Sequence, residues 1–108
     1  MPTNYNLSGA RSLQTTTQSG AYVVAATDDV VFVNPNADFD VTLPNANLVI
    51  GRRIQVKRIN NSANTVTVKS AGGNIDGAAA ATGIVLAGGT LNFLTVVSDG
   101  ANWWVIGS

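Results

Sequence analysis

Leu91-Asn92-Phe93-Leu94-Thr95-Val96-Val97-Ser98, then Asp99-Gly100-Ala101-Asn102, then Trp103-Trp104-Val105-Ile106: the fold is decided in this stretch. Its first run alternates with a period of two. Leu91, Phe93, Thr95 and Val97 fall on one side, and Asn92, Leu94 and Val96 on the other, the pattern of a strand with one buried face. The Asp-Gly-Ala-Asn segment is a strong turn signal, and the run after it returns as a hairpin partner. Neighbours on a strand point to opposite faces, so Trp103 and Trp104 cannot share one core. One fills the interior. The other faces solvent, a subunit interface or a ligand, and burial between subunits is favoured because aromatic side chains dominate protein contacts.

The same grammar extends toward the N-terminus. Ile84-Val85-Leu86 is a short strand, preceded by a small-residue loop over 77–83 and a brief Ile75-Asp76. Residues 53–59 alternate, with Ile54 and Val56 on one face and Arg53, Gln55 and Lys57 on the other. Arg58 falls in phase with Ile54 and Val56, so the buried stripe is expected to end before it. Residues 65–69 repeat the alternation with Val66 and Val68 inward. The Asn60-Asn61-Ser62-Ala63-Asn64 connection is short and turn-rich, which predicts a hairpin between these two strands. Val41-Thr42-Leu43 stops at Pro44, which cannot donate to a central ladder. Val30-Val31-Phe32-Val33 and Tyr22-Val23-Val24-Ala25 complete the series. About eight short strands without a convincing helix predict an all-β fold: a small antiparallel sandwich, jelly roll or barrel. No internal repeat of fixed period survives inspection.

Residues 1–20 read differently. They are rich in Ser, Thr, Asn, Gln and Gly and carry few apolar side chains. They are expected to form an extended N-terminal arm, with Tyr5, Leu7 and Leu13 as anchors against another subunit, ahead of a body at 21–108. Fully extended, such an arm reaches on the order of 70 Å.

Composition limits the chemistry. The chain has 108 residues, no cysteine and no histidine, and its six acids are all aspartate. A Ser-His-Asp triad, a Cys-His pair and a zinc site of Cys and His ligands are therefore impossible within it. No catalytic, cofactor-binding or metal-ligating residue is assigned, and the chain is expected not to be an enzyme. Asp76 and Asp99 each precede glycine, where aspartate bonds the backbone of its own turn. Asp28, Asp29, Asp38 and Asp40 flank one strand but lack the spacing of a calcium loop, so turn and edge roles are expected. Six basic residues balance the six acids. Only Arg52, Arg53, Lys57 and Arg58 cluster, and on a strand they face both ways, which argues against a nucleic-acid partner. No apolar run approaches the length of a membrane helix. Only 11% of residues are charged against 45% hydrophobic, whereas soluble domains average about a quarter charged. A surface so weakly ionic is expected to be covered by other protein.

One family carries the same order of signatures. It runs from Tyr22-x-Val24 through Asp28-Asp29-x-Val31-x-Val33, Val41-Thr42-Leu43-Pro44 and Gly51-Arg52-Arg53-Ile54-x-Val56-Lys57. It continues with Asn64-Thr65-Val66-Thr67-Val68 and Gly72-Gly73-x-Ile75-Asp76-Gly77, and closes on Val97-Ser98-Asp99-Gly100-x-Asn102-Trp103. This string resembles a β module of tailed-bacteriophage head-fibre, capsid-decoration and tail-fibre proteins over residues 22–106. The family pattern has a single Trp near its end, so the Trp103-Trp104 pair is a departure. The resemblance implies a virion structural protein on the capsid exterior, a decoration (cement) or head-fibre protein. It further implies a homotrimer that contacts the major capsid protein or another virion protein; low charge and the tryptophan alternation then put Trp103 or Trp104 at the expected subunit interface. The alternative it implies is a tail-fibre or tail-tip module that recognises a host surface glycan or protein. The short lead before the module, with no shaft, favours decoration.

Overall fold

The computed structural model describes residues 12–108. In chain order the elements are β1 (Thr15–Gln18), β2 (Tyr22–Val23), β3 (Val30–Val33), β4 (Phe39–Leu43), a 3₁₀ turn (Ala46–Leu48), β5 (Arg53–Arg58), β6 (Val66–Ser70), β7 (Ile84–Leu86), β8 (Phe93–Ser98) and β9 (Trp103–Gly107). They make two sheets, one ordered β1-β3-β5-β8-β9 and the other β2-β4-β6-β7. Neither sheet closes on itself.

The chain crosses from one sheet to the other at every step from β1 to β6. Strands that become neighbours therefore run in the same direction. β1 lies parallel to β3 and β3 to β5; β2 lies parallel to β4 and β4 to β6. Only β5·β8, β6·β7 and β8·β9 are antiparallel. The expected antiparallel architecture is thus corrected to two mixed sheets. The hairpin expected between residues 53–59 and 65–69 is also corrected, because β5 and β6 belong to different sheets. A turn-rich connector has the same composition whether it folds a strand back or carries it across the core. The circuits are unequal: Thr15 pairs with Val30, and Val30 with Gln55. Unequal circuits leave no fixed period in the sequence.

The two sheets share one core. Val31, Val33, Ile54, Val56, Leu94 and Val96 from the larger sheet join Val41, Leu43, Val66, Val68 and Leu86 from the smaller in a single buried cluster. Each such side chain contributes roughly 1.5–3 kcal/mol by leaving water. Trp103 completes the cluster at zero exposure, and its Nε1 donates to the Pro44 carbonyl at 3.0 Å. The β8–β9 hairpin forms as expected, with Val97 opposite Trp104 and Ser98 opposite Trp103.

Two further expectations are revised. Arg58 does not end the buried stripe of β5; it continues it, with zero exposure. Its guanidinium donates to the carbonyls of Asn60, Ser62, Asn64 and Leu86. Five donors on a planar fork suit a ring of carbonyls. The crossing between β5 and β6 is therefore tied to the end of β7 through one side chain. The N-terminal boundary also moves. Thr15–Gln18, placed in the arm by composition, is the edge strand of the larger sheet. The ordered body begins before residue 20.

Candidate docking surface

One end of the molecule gathers exposed apolar side chains around the β8–β9 turn. Asp99 Oδ1 accepts from the amides of Ala101 and Asn102, both at 2.8 Å, closing the turn in the way predicted for an aspartate before glycine. Asp99 Oδ2 accepts from Trp104 Nε1 at 2.8 Å. The Asn102 amide and then the Trp104 indole stabilise the ionised carboxylate and hold its pKa below the ordinary value of 3.8. The 45–52 segment docks beside this turn. Gly51 N donates to Ser98 O at 2.9 Å, and Ser98 Oγ donates to Ala46 O at 2.7 Å. The Ile50 side chain lies over Gly100, its Cγ1 3.2 Å from where a Cβ would sit.

Leu48, Ile50, Trp104 and Ile106 are exposed by 78, 71, 44 and 54%, with Ile50 over Gly100 and Trp104 on Asp99 of the same turn. Trp104 and Ile106 share one face of β9, and Val97 lies beside Trp104 on β8. The Trp104 indole is held by the Asp99 contact, so less side-chain entropy remains to be lost when another surface covers it.

The tryptophan alternation resolves as Trp103 inside and Trp104 outside. Tyr5 and Leu7 lie outside the described residues. Leu13 is 61% exposed and borders a cleft of about 440 Å³ with Asp29, Val30, Arg52, Arg53 and Gln55. Much of this cleft wall is internal bracing. Arg52 forms an ion pair with Asp29 at 2.9 Å and donates to the carbonyls of Ala26 and Asp28. Asp29 Oδ2 accepts from Gln14 N at 2.8 Å.

The remaining aspartates are spread out and engaged. Asp28 Oδ2 accepts from Tyr22 Oη at 2.6 Å and from Ala25 N at 2.8 Å. The Asp28 hydrogen bond, and then burial, push the Tyr22 phenol above its usual 10.0. Asp38 accepts from Thr65 N, Asp40 pairs with Lys69, and Asp76 accepts from Val105 N. Among the described residues no three acids converge on a point that suits a metal ion.

Leu48 and Ile50 are the residues that sequence reasoning passed over, and Arg58 is the one it misjudged. Leu48 and Ile50, on either side of the buried Val49 and between Asn47 and Gly51, carry a usable signal: aliphatic side chains at turn positions outside any strand.

No family model, no curated protein and no solved structure matches this chain.

Proposed function

We propose that this chain is a structural protein of a tailed-bacteriophage virion, a capsid decoration or head-fibre protein. In this reading it assembles as a trimer through the Leu48–Ile50–Trp104–Ile106 ridge, and the two open sheets form a small sandwich around their shared core. The observation that carries the proposal is the exposed Trp104 indole held by Asp99, with the exposed Ile50 over the same turn, on a weakly charged β body. Exposed apolar patches of this kind mark contact sites. The resemblance of the residue order to the phage β module supports the virion setting, and in this reading the arm toward the major capsid protein leaves the body at Leu13. Light scattering of the purified chain is expected to give a multiple of three chains, reduced threefold by Ile50→Ser with Trp104→Ala. A monomeric wild type at micromolar concentration overturns the trimer. Immunogold labelling of intact particles is expected to cover the heads densely, and unlabelled particles overturn the virion role.

The exposed ring of Trp104 favours one second reading, a tail-tip module that stacks on a host glycan. Gold confined to the tail selects it over decoration.

A further inference from the structure

The two ends of the larger sheet are finished differently. At β9 the outer edge is occupied. Trp103 N donates to Asn74 O at 2.8 Å, Asp76 N to Trp103 O at 3.0 Å, and Val105 N to Asp76 Oδ1 at 2.9 Å. A register shift beside Thr95 and Val96 distorts the same margin. These are the usual devices that stop a sheet from growing.

At β1 none of those devices is present among the described residues. No charged residue and no proline occurs between Ser12 and Thr27. The Gln14 and Gln18 carbonyls accept from the β3 side, so alternation turns the N–H and C=O groups of Thr15 and Thr17 away from the sheet. The side chains of Thr15 and Thr17 are exposed.

We propose that β1 pairs with β1 of a second copy across a two-fold axis, joining the larger sheets of two protomers into one. The register follows from the residues. Centred on Thr16, an antiparallel pair sets Thr15 of each copy opposite Thr17 of the other. Those two residues carry the outward backbone groups, so both crossings become hydrogen-bonded pairs. Thr16 faces its own counterpart in the closer, non-hydrogen-bonded position. Thr–Thr pairs across antiparallel strands are favourable, and no charge opposes them. Head-to-tail growth, β1 onto β9, is blocked by the 74–76 segment. The contact is therefore self-complementary and closes after two copies. It stands apart from the virion reading, since it uses neither the ridge nor any phage partner. Where the ridge also holds three chains together, each β1 of a trimer pairs with a β1 of another trimer, and the total stays even.

Sedimentation is expected to give an even multiple of the 11.1 kDa chain, halved by Thr15→Lys with Thr17→Lys, which sets like charges opposite each other. Mixing that variant with Thr15→Asp/Thr17→Asp is expected to restore the pairing. Because the chain has no cysteine, Thr16→Cys supplies a single thiol. Mild oxidation is expected to convert it to a covalent dimer, since non-hydrogen-bonded antiparallel pairs fall within disulfide reach. Val85→Cys, on the other sheet, serves as the control. An odd multiple for the wild type, an unchanged mass for the lysine variant, or cross-linking of Thr16→Cys no faster than Val85→Cys overturns the proposal.

Discussion

The indole N–H of Trp104 donates to a carboxylate oxygen of Asp99 across 2.8 Å, while the other carboxylate oxygen closes the turn between β8 and β9. One aspartate therefore shapes the hairpin and aims its exposed tryptophan. Its folded pKa lies below the ordinary 3.8, so the stabilisation is complete above the unfolded value and is lost as pH falls through the folded one. The Trp104 indole proton resonance is expected to shift with a midpoint below 3.8, and Asp99→Asn is expected to abolish that transition. A midpoint at or above 3.8 would show that the contact does not form in solution.

The two tryptophans are expected to separate stability from association. Trp103→Ala removes a fully buried ring and is expected to cost about 3–5 kcal/mol in urea unfolding. Trp104→Ala removes a half-exposed ring, with an expected stability cost under about 1 kcal/mol, and is expected to weaken the proposed self-association. Equal losses of stability for the two variants would contradict the burial described above.

Arg58 is a buried cation held mainly by backbone carbonyls, with the Ser62 hydroxyl at 3.5 Å as a further acceptor. Arg58→Met leaves those carbonyls without their donor and is expected to destabilise by about 3–5 kcal/mol. Arg58→Lys is expected to rescue little, because one ammonium cannot span the Asn60, Ser62 and Asn64 oxygens as a planar fork does. Chemical denaturation of the two variants checks this, and a near-wild-type midpoint for Arg58→Lys counts against it.

Tyr22 donates to Asp28, and its phenol titrates above 10.0 in consequence. A raised folded pKa means the contact stabilises below the unfolded value and is lost as pH rises through the folded one. The ultraviolet difference between wild type and Tyr22→Phe isolates this phenol from Tyr5. Its midpoint is expected above 10.0 and is expected to fall in Asp28→Asn. A midpoint that stays put in the aspartate variant would remove Asp28 as the cause.

Strand positions were legible because alternation is a local property. Residues 30–33 and 84–86 coincide with β3 and β7, and the inward set Ile54, Val56, Val66 and Val68 is buried as predicted. Partner choice was not legible. Whether Asn60-Asn61-Ser62-Ala63-Asn64 turns back or crosses depends on what occupies the space beyond β5, and there β3 and β8 were already in place. Arg58 was misjudged for a related reason: a charge looks unburiable until the carbonyls around it, supplied by residues 60–64 and Leu86, are known. β1 was missed because Thr and Gln carry no apolar signal, and its pairing to β3 runs mainly through the backbone. The alternation of Trp103 and Trp104 was readable, but which one faces inward depended on the Pro44 carbonyl, 59 residues away.

The crossing path has a kinetic corollary. Of all the strand neighbours, only β6 with β7 and β8 with β9 are consecutive in the chain. The β8–β9 hairpin, with Ser98 paired to Trp103, is the natural nucleus, since closing a short loop costs less entropy than closing a long one. The strands that leave the ribosome first must then wait for the last ones to appear, and refolding should be slow for so small a chain. Destabilising changes in the closing hairpin should retard refolding, whereas those in the opening circuit should mainly hasten unfolding.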